Sequence, residues 1–361
     1  MNNIRTKIKC FFSSKLHIGI SILFIFFVLA GSVFLYYDTQ LRAIDKRSEE
    51  IVYFSIIEND TVDSVSNRLQ EQGIIKDANM LKLYVKLHGY DHLKVGAYEL
   101  QKDWSAKKII QYLNDGGNVL NDQVLLTFRE GIWAKEIAQL INENTNVSAD
   151  TLLALWNDET FLKQLIEKYE FLDKSILNSE YPVKLEGYLF PETYFFKKET
   201  TAEEVSYVFL NQFQKEYEKI KKDIEESGYS LHEIMTLASI VQFESASVED
   251  MQKIAGVFYN RLAINQKLES SVTVCYALYD YTSWEECEKD VTIDSPYNTY
   301  MYEGLPIGPI LNPGKDAIES TLYPDENEYY YFLADVYGDG TVYYSKTYDE
   351  HLKKQKKYLG Y

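Results

Sequence analysis

Residues 16–37 are apolar throughout, with His17 as the only group that titrates near neutral pH. A helix of that length crosses a hydrocarbon core of roughly 30 Å. The run ends in Tyr36, Tyr37 and Asp38, which suits an interfacial aromatic belt rather than the small-residue site of a cleaved signal peptide. A single uncleaved span over residues 16–37 is therefore expected. Residues 38–50 are charged and lack strand periodicity, as a stem holding an outer domain off the membrane would.

From Ile51 the pattern breaks into short elements. Residues 51–57 read as a strand, 58–61 as a turn, and Val62, Val65 and Leu69 recur at helical spacing up to Gly73. A helix over 79–88, a strand over 94–100 and a helix over 105–113 follow, the last closed by Gly116 and Gly117. Residues 124–128, the turn 129–131 and a helix through Ile137 and Ile141 repeat the strand, turn, helix order. Helical patterns cover 148–169 and 202–227, the second with a Lys/Glu face suited to solvent. Tyr329 and Tyr344 bracket an aromatic stretch around Gly338-Asp339-Gly340, a hairpin signal. The fold class is α+β.

Composition narrows the setting. With 46% apolar and 25% charged residues the chain is globular in character. Arg5, Lys7, Lys9 and Lys15 precede the span without an acid, which places residues 1–15 in the cytoplasm and everything beyond Asp38 outside. A net charge of −18 disfavours nucleic acid as a partner, because phosphate binding needs clustered cations. Cys10, Cys275 and Cys287 contain no CxxC pair, so neither a zinc site nor a disulfide framework is expected. Cys275 and Cys287 could bridge in an oxidising compartment or remain buried thiols. HExxH and GxxxxGK[ST] are absent, so no metal or nucleotide cofactor is called for.

Three stretches carry chemistry. In residues 231–245, Ile234, Leu237, Ala238 and Val241 follow helical spacing, and the projection brings Glu244 close to the direction of Leu237. A carboxyl group on an apolar stripe resists ionisation, as a general acid must, unless the helix has already ended and the side chain is simply exposed. Residues 186–194, EGYLFPETY, combine acids with flat rings, a mix that fits a sugar site and equally a satisfied structural loop. Residues 294–314 are too rich in Pro, Gly, Asn and Tyr for one helix or strand and predict an ordered loop, with or without a ligand.

Taken in order, EGYLFPETY, LASIVQFES followed by IAGVFYNRL, TVCYAL, and SPYNTYMYEGLPIGPILNPG resemble the hallmark stretches of the YceG-like endolytic murein transglycosylases, over about residues 130–351. Residues 51–120, with LKVGAYEL, resemble the LysM-like module that precedes the catalytic domain in that family; residues 121–361 would be the catalytic domain. The resemblance implies that Glu244 is the catalytic acid/base. Glu186, Tyr188, Asn298, Thr299 and Tyr300 are the candidates for holding glycan or positioning Glu244. Two positions depart from the family pattern. Gln242 stands where the first acid of an E-x-E is usual, and Ser271-Val272 replace an Asp-Pro.

The implied reaction breaks the MurNAc–GlcNAc bond within peptidoglycan strands without water. The MurNAc C6 hydroxyl closes onto C1, leaving 1,6-anhydroMurNAc ends, and strand elongation would stop there. A tethered nucleophile has high effective molarity, so one carboxyl group suffices, whereas ordinary glycosidases use two. The implied partners are peptidoglycan strands, the cell membrane and, further off, peptidoglycan synthases. Two rivals stand beside this reading. One is a hydrolase pairing Glu244 with Glu186, Glu192 or Asp294, and the other a non-catalytic wall-binding scaffold of the growth and division machinery.

Overall fold

The computed structural model describes residues 23–48, 50–57, 59–117, 123–245, 247–279, 287, 291–335 and 340–360. The chain forms two compact units, one ending at Gln123 and one beginning at Val124. Helix α1, Leu23–Gln40, is long and apolar enough to cross a membrane, and its apolar side chains are exposed. Residues 16–22 of the expected span lie outside the described residues.

The first unit has the order β1 (Ile51–Ile56), α2 (Val62–Glu71), α3 (Ala78–His88), β2 (Gly96–Gln101) and α4 (Ala106–Asp115). The two strands pair antiparallel in the register Phe54↔Tyr98 and Ile56↔Gly96. Alternation puts Phe54 and Ile56 of β1 and Tyr98 and Leu100 of β2 into the core, where Val65, Leu69, Leu81 and Ile109 meet them. Thr61, Asp77 and Ser105 cap the three helices through their side chains. Gly89 and Gly116 end α3 and α4 in the left-handed conformation.

Part of the segment read as a stem packs on this unit. Leu41 is fully buried in its core, the Ala106 amide donates to the Leu41 carbonyl, and Lys107 Nζ reaches Asp38 Oδ1 at 2.8 Å. Charge density concealed one well-placed leucine.

In the second unit β3 (Gln123–Thr127) pairs with β4 (Thr193–Lys197). Helices α5 (Ala134–Asn144), α6 (Ala149–Leu155), α7 (Glu159–Lys168) and α8 (Ala202–Ser227) pack around a first core containing Phe128, Trp156 and Phe209. The single helix expected over 148–169 is two. Trp156 is fully buried and gives its indole N–H to Ser206 Oγ at 2.8 Å. Asn157 bonds Pro182 O and Lys184 N, and Asp158 caps α7 at Phe161 N. Side-chain bonds to backbone offer the chain an alternative to continued helix, and here they win.

A second core gathers α9 (Leu231–Glu244), α10 (Val248–Ala263), α11 (Ser271–Leu278), the loop through Ile310, and α12 (Lys315–Leu322). The hairpin of β5 (Tyr331–Ala334) and β6 (Val342–Ser345) and the final helix α13 (Tyr348–Tyr358) complete the unit. Gly338 and Asp339 of the expected turn lie outside the described residues. Residues 294–314 run as successive turns, joined to the first core by a bridge between Ile132 and Asn312.

Helix α9 belongs to both cores. Ile234, Met235 and Ala238 face the first, while Leu237, Ile240 and Val241 face the second. A helix apolar on all sides must be enclosed on all sides. Each of the larger side chains contributes about 1.5–3 kcal/mol on burial, so its axis is firmly held. Ser230 and Glu233 form a capping box at its start. At its other end the chain emerges: Phe243 is exposed and Glu244 half-buried.

Candidate active site

Glu244 is the last residue of α9 and lies where two cavities meet. The larger, about 930 Å³, is bounded by Arg261, Glu269, Ser270, Tyr300 and side chains of β5 and α13. The smaller, about 380 Å³, is bounded by Gln242, Ser245, Gly340 and Val342. Both share Phe243, Glu244 and Ala334. The carboxyl group therefore borders both cavities.

Ser270 orients it. Its hydroxyl donates to Glu244 Oε1 at 2.6 Å. Ser270 is itself buried and held by its backbone: its amide donates to Thr299 Oγ1 at 3.1 Å, and Thr273 Oγ1 donates to its carbonyl at 2.7 Å. The Thr273 and Thr299 hydroxyls are 2.9 Å apart. Asn298 holds the same turn by donating to Val291 O and Ile293 O and accepting from Tyr300 N.

Asn298 and Thr299 are 1% and 2% exposed, so they buttress Ser270 from behind, and Tyr300 is the one of the three that lines the larger cavity. Glu186 and Tyr188 are brought to a different place. Glu186 is 3% exposed and accepts from Ala134 N, Asn312 Nδ2 and Tyr276 OH at 2.9, 2.8 and 3.3 Å. Burial pushes its carboxyl up to about 8, against the opposing effect of the Ala134 and Tyr276 donors. Tyr188 is 2% exposed and bonds His232 Nδ1. Neither borders the cavities at Glu244. They tie α5, α9, α11 and the Asn312 loop together.

The departures from the family pattern have local accounts. Gln242 accepts from Gly314 N at 2.8 Å and its amide bonds the Glu130 carboxylate, whose pKa is raised by burial and by Asp316. An acid at 242 would add a third carboxylate to that pair, and a neutral amide avoids the repulsion. Ser271 and Val272 form the first turn of α11, with Val272 in the cavity wall.

Sequence reasoning missed Ser270, Arg261 and Glu269. Arg261 is 6% exposed and donates to Tyr330 O, Lys267 O and Leu268 O, so it pins the strand entering the hairpin to the segment that leads into Ser270. Its Nη1 lies 3.4 Å from Glu269 Oε2. Burial lowers its pKa, while the Glu269 and Glu244 carboxylates oppose that. The remaining carboxylates weighed as partners of Glu244 do not line its cavities: Asp294 accepts from Tyr302 OH at 2.6 Å and Glu192 is exposed near β4. Among the described residues no cluster of three His, Cys, Asp or Glu could hold a metal ion. Cys275 and Cys287 are disulfide-bonded, which resolves the pairing left open by sequence.

The YceG-like family model matches residues 54–357. An endolytic murein transglycosylase of Bacillus subtilis (strain 168) is 35% identical over 336 residues, covering 92% of this chain and 91% of that one. One of Streptococcus pneumoniae serotype 2 is 34% identical over 346 residues, covering 91% of this chain and 63% of the longer relative. A crystal structure of a YceG-like protein from Listeria monocytogenes superposes with a TM-score of 0.61 at 32% identity, covering 85% of this chain and 99% of that one.

Proposed function

Because the chain belongs to the YceG-like family, we propose that it is an endolytic peptidoglycan transglycosylase in which Glu244 is acid and then base. The observation that carries this is the position of Glu244 at the meeting of two cavities, its carboxyl fixed by Ser270. An enzyme that cuts within a strand must accommodate sugar on both sides of the broken bond.

In the proposed step Glu244 gives its proton to the glycosidic oxygen as the C1–O bond breaks. The C6 hydroxyl of the same MurNAc bonds to C1, and its proton passes to Glu244, which is thereby restored. Water is neither consumed nor activated. General acid/base catalysis of this kind is worth about 10²–10⁴-fold, and the internal hydroxyl supplies effective concentration. Ser270 selects the rotamer from which the carboxyl acts, with Thr299, Thr273 and Asn298 behind it.

The apolar helix α1 would anchor the enzyme with its N-terminus inside and both units outside, beside nascent strands. In this position cleavage would terminate elongation, and synthases would be natural neighbours. The βααβ order of the first unit suits a LysM-like grip on glycan. Glu269 favours one second reading, since it lines the larger cavity and could serve a hydrolase as second carboxylate. Its pairing with Arg261 argues against a free nucleophile or base. Glu244→Gln tests the proposal: a variant with the parent's melting temperature should cut glycan at least 100-fold more slowly, and normal cutting would refute it.

A further inference from the structure

The larger cavity has a wall of rings at its end formed by β5 and α13. Tyr331, Tyr348 and His351 all line it. Their ring centroids lie 5.7 Å (Tyr331 to Tyr348), 5.4 Å (Tyr331 to His351) and 6.3 Å (Tyr348 to His351) apart. Arg261 holds the group from below, its guanidinium 5.1 Å from the Tyr331 ring centre. Tyr348 is 57% exposed at the first turn of α13. Helix packing alone does not call for an aromatic ring there.

Flat rings offer sugars what they offer other apolar faces: the C–H face of a pyranose is apolar while its rim carries hydroxyls. Gln266 and Gln355 line the same cavity, where their amides can meet such a rim. Burial and the cations of Arg261 and Lys354 lower the His351 pKa, keeping a neutral ring in the wall.

We propose that Tyr348, with Tyr331 and His351 behind it, forms a stacking subsite for an N-acetylated sugar unit of the strand, on the larger-cavity side of Glu244. The assignment rests on the transglycosylase reading of the cleft. It makes the C-terminal helix, and not the helix bearing the acid, the part that grips substrate. Glycan held there stays aligned with Glu244 while the smaller cavity receives the other side of the bond.

The test uses the full-length chain in detergent micelles and fluorescently labelled glycan strands. On an active background, Tyr348→Ala should raise KM about tenfold with kcat within twofold, while Tyr348→Phe behaves as the parent. On the Glu244→Gln background, Tyr348→Ala should weaken strand binding, measured by fluorescence anisotropy, by a similar factor. Leu352→Ala is the control, since Leu352 is exposed on the same helix but does not line the cavity; it should leave both values unchanged. Equal binding with and without the Tyr348 ring would overturn the subsite. An equal loss in the Leu352 control would overturn it too, since the effect would then belong to the helix. If the parent made no anhydro ends the transglycosylase reading would fail, and the anisotropy comparison would still decide whether the subsite exists.

Discussion

Ser270 donates its hydroxyl to Glu244 at 2.6 Å and leaves the helix that it begins without a side-chain cap. A serine at that position ordinarily stabilises its helix by about 1 kcal/mol through a bond to the backbone. Here the same hydroxyl is turned towards the carboxyl group, so local stability is given up for the orientation of one acid.

Ser270→Ala should therefore cost rate and, with it, some stability. A hydrogen bond to a charged group contributes about 1.5–3 kcal/mol, so kcat should fall about 10- to 100-fold, with KM nearly unchanged. The melting temperature should fall as well, by about 2–4 °C for each kcal/mol that the lost bond contributed to the fold. Steady-state kinetics beside a thermal melt checks both. Parent-like kcat would show that Glu244 needs no such support.

Glu186 predicts a pH dependence of stability. Its folded pKa, about 8, lies above the unfolded carboxyl value, so between those values the native state binds more protons than the unfolded one. The contribution to stability is full at and below the unfolded pKa and declines as pH rises towards 8, by up to about 1.4 kcal/mol per pH unit. Glu186→Gln should flatten that decline, as read from urea unfolding across the window. An unchanged slope would place the titration elsewhere.

The disulfide between Cys275, which lines the larger cavity, and Cys287 spans a sequence separation of 12. Cross-links around loops of that size stabilise by about 3 kcal/mol. Reductant should lower the melting temperature of the parent by about 5–10 °C and leave the Cys275→Ser/Cys287→Ser variant unmoved. A parent insensitive to reductant would mean that the bridge is neither formed nor needed.

Glu269→Gln separates the two enzymatic readings. A transglycosylase needs one carboxyl group, so the variant should keep kcat within about fivefold, the residual loss coming from a half-exposed ion pair with Arg261. Loss of activity as complete as that of Glu244→Gln would make Glu269 the second carboxylate of a hydrolase.

Much of this was legible in the sequence, and the failures have physical reasons. Helix α8 runs over the expected 202–227 because it buries a regular face, whereas α9 is enclosed on all sides and its last residue, Glu244, is where the chain emerges at the cavities. The break at Trp156 to Asp158 was hidden because it depends on partners far along the chain, Ser206 and Pro182. EGYLFPETY combined acids and rings in a way that fits a sugar site, yet composition cannot tell a ligand's partners from a buried network that satisfies itself. Glu186 belongs to the second kind. Ser270 carried no signal of its own, because a serine before a helix reads as a cap.

The central claim is tested most directly by mass spectrometry of glycan digested by the full-length chain in heavy-oxygen water. The account predicts 1,6-anhydroMurNAc ends without label, and no new ends from Glu244→Gln. Reducing ends carrying heavy oxygen would contradict it, because water would then be the nucleophile and a second carboxylate would have to be found.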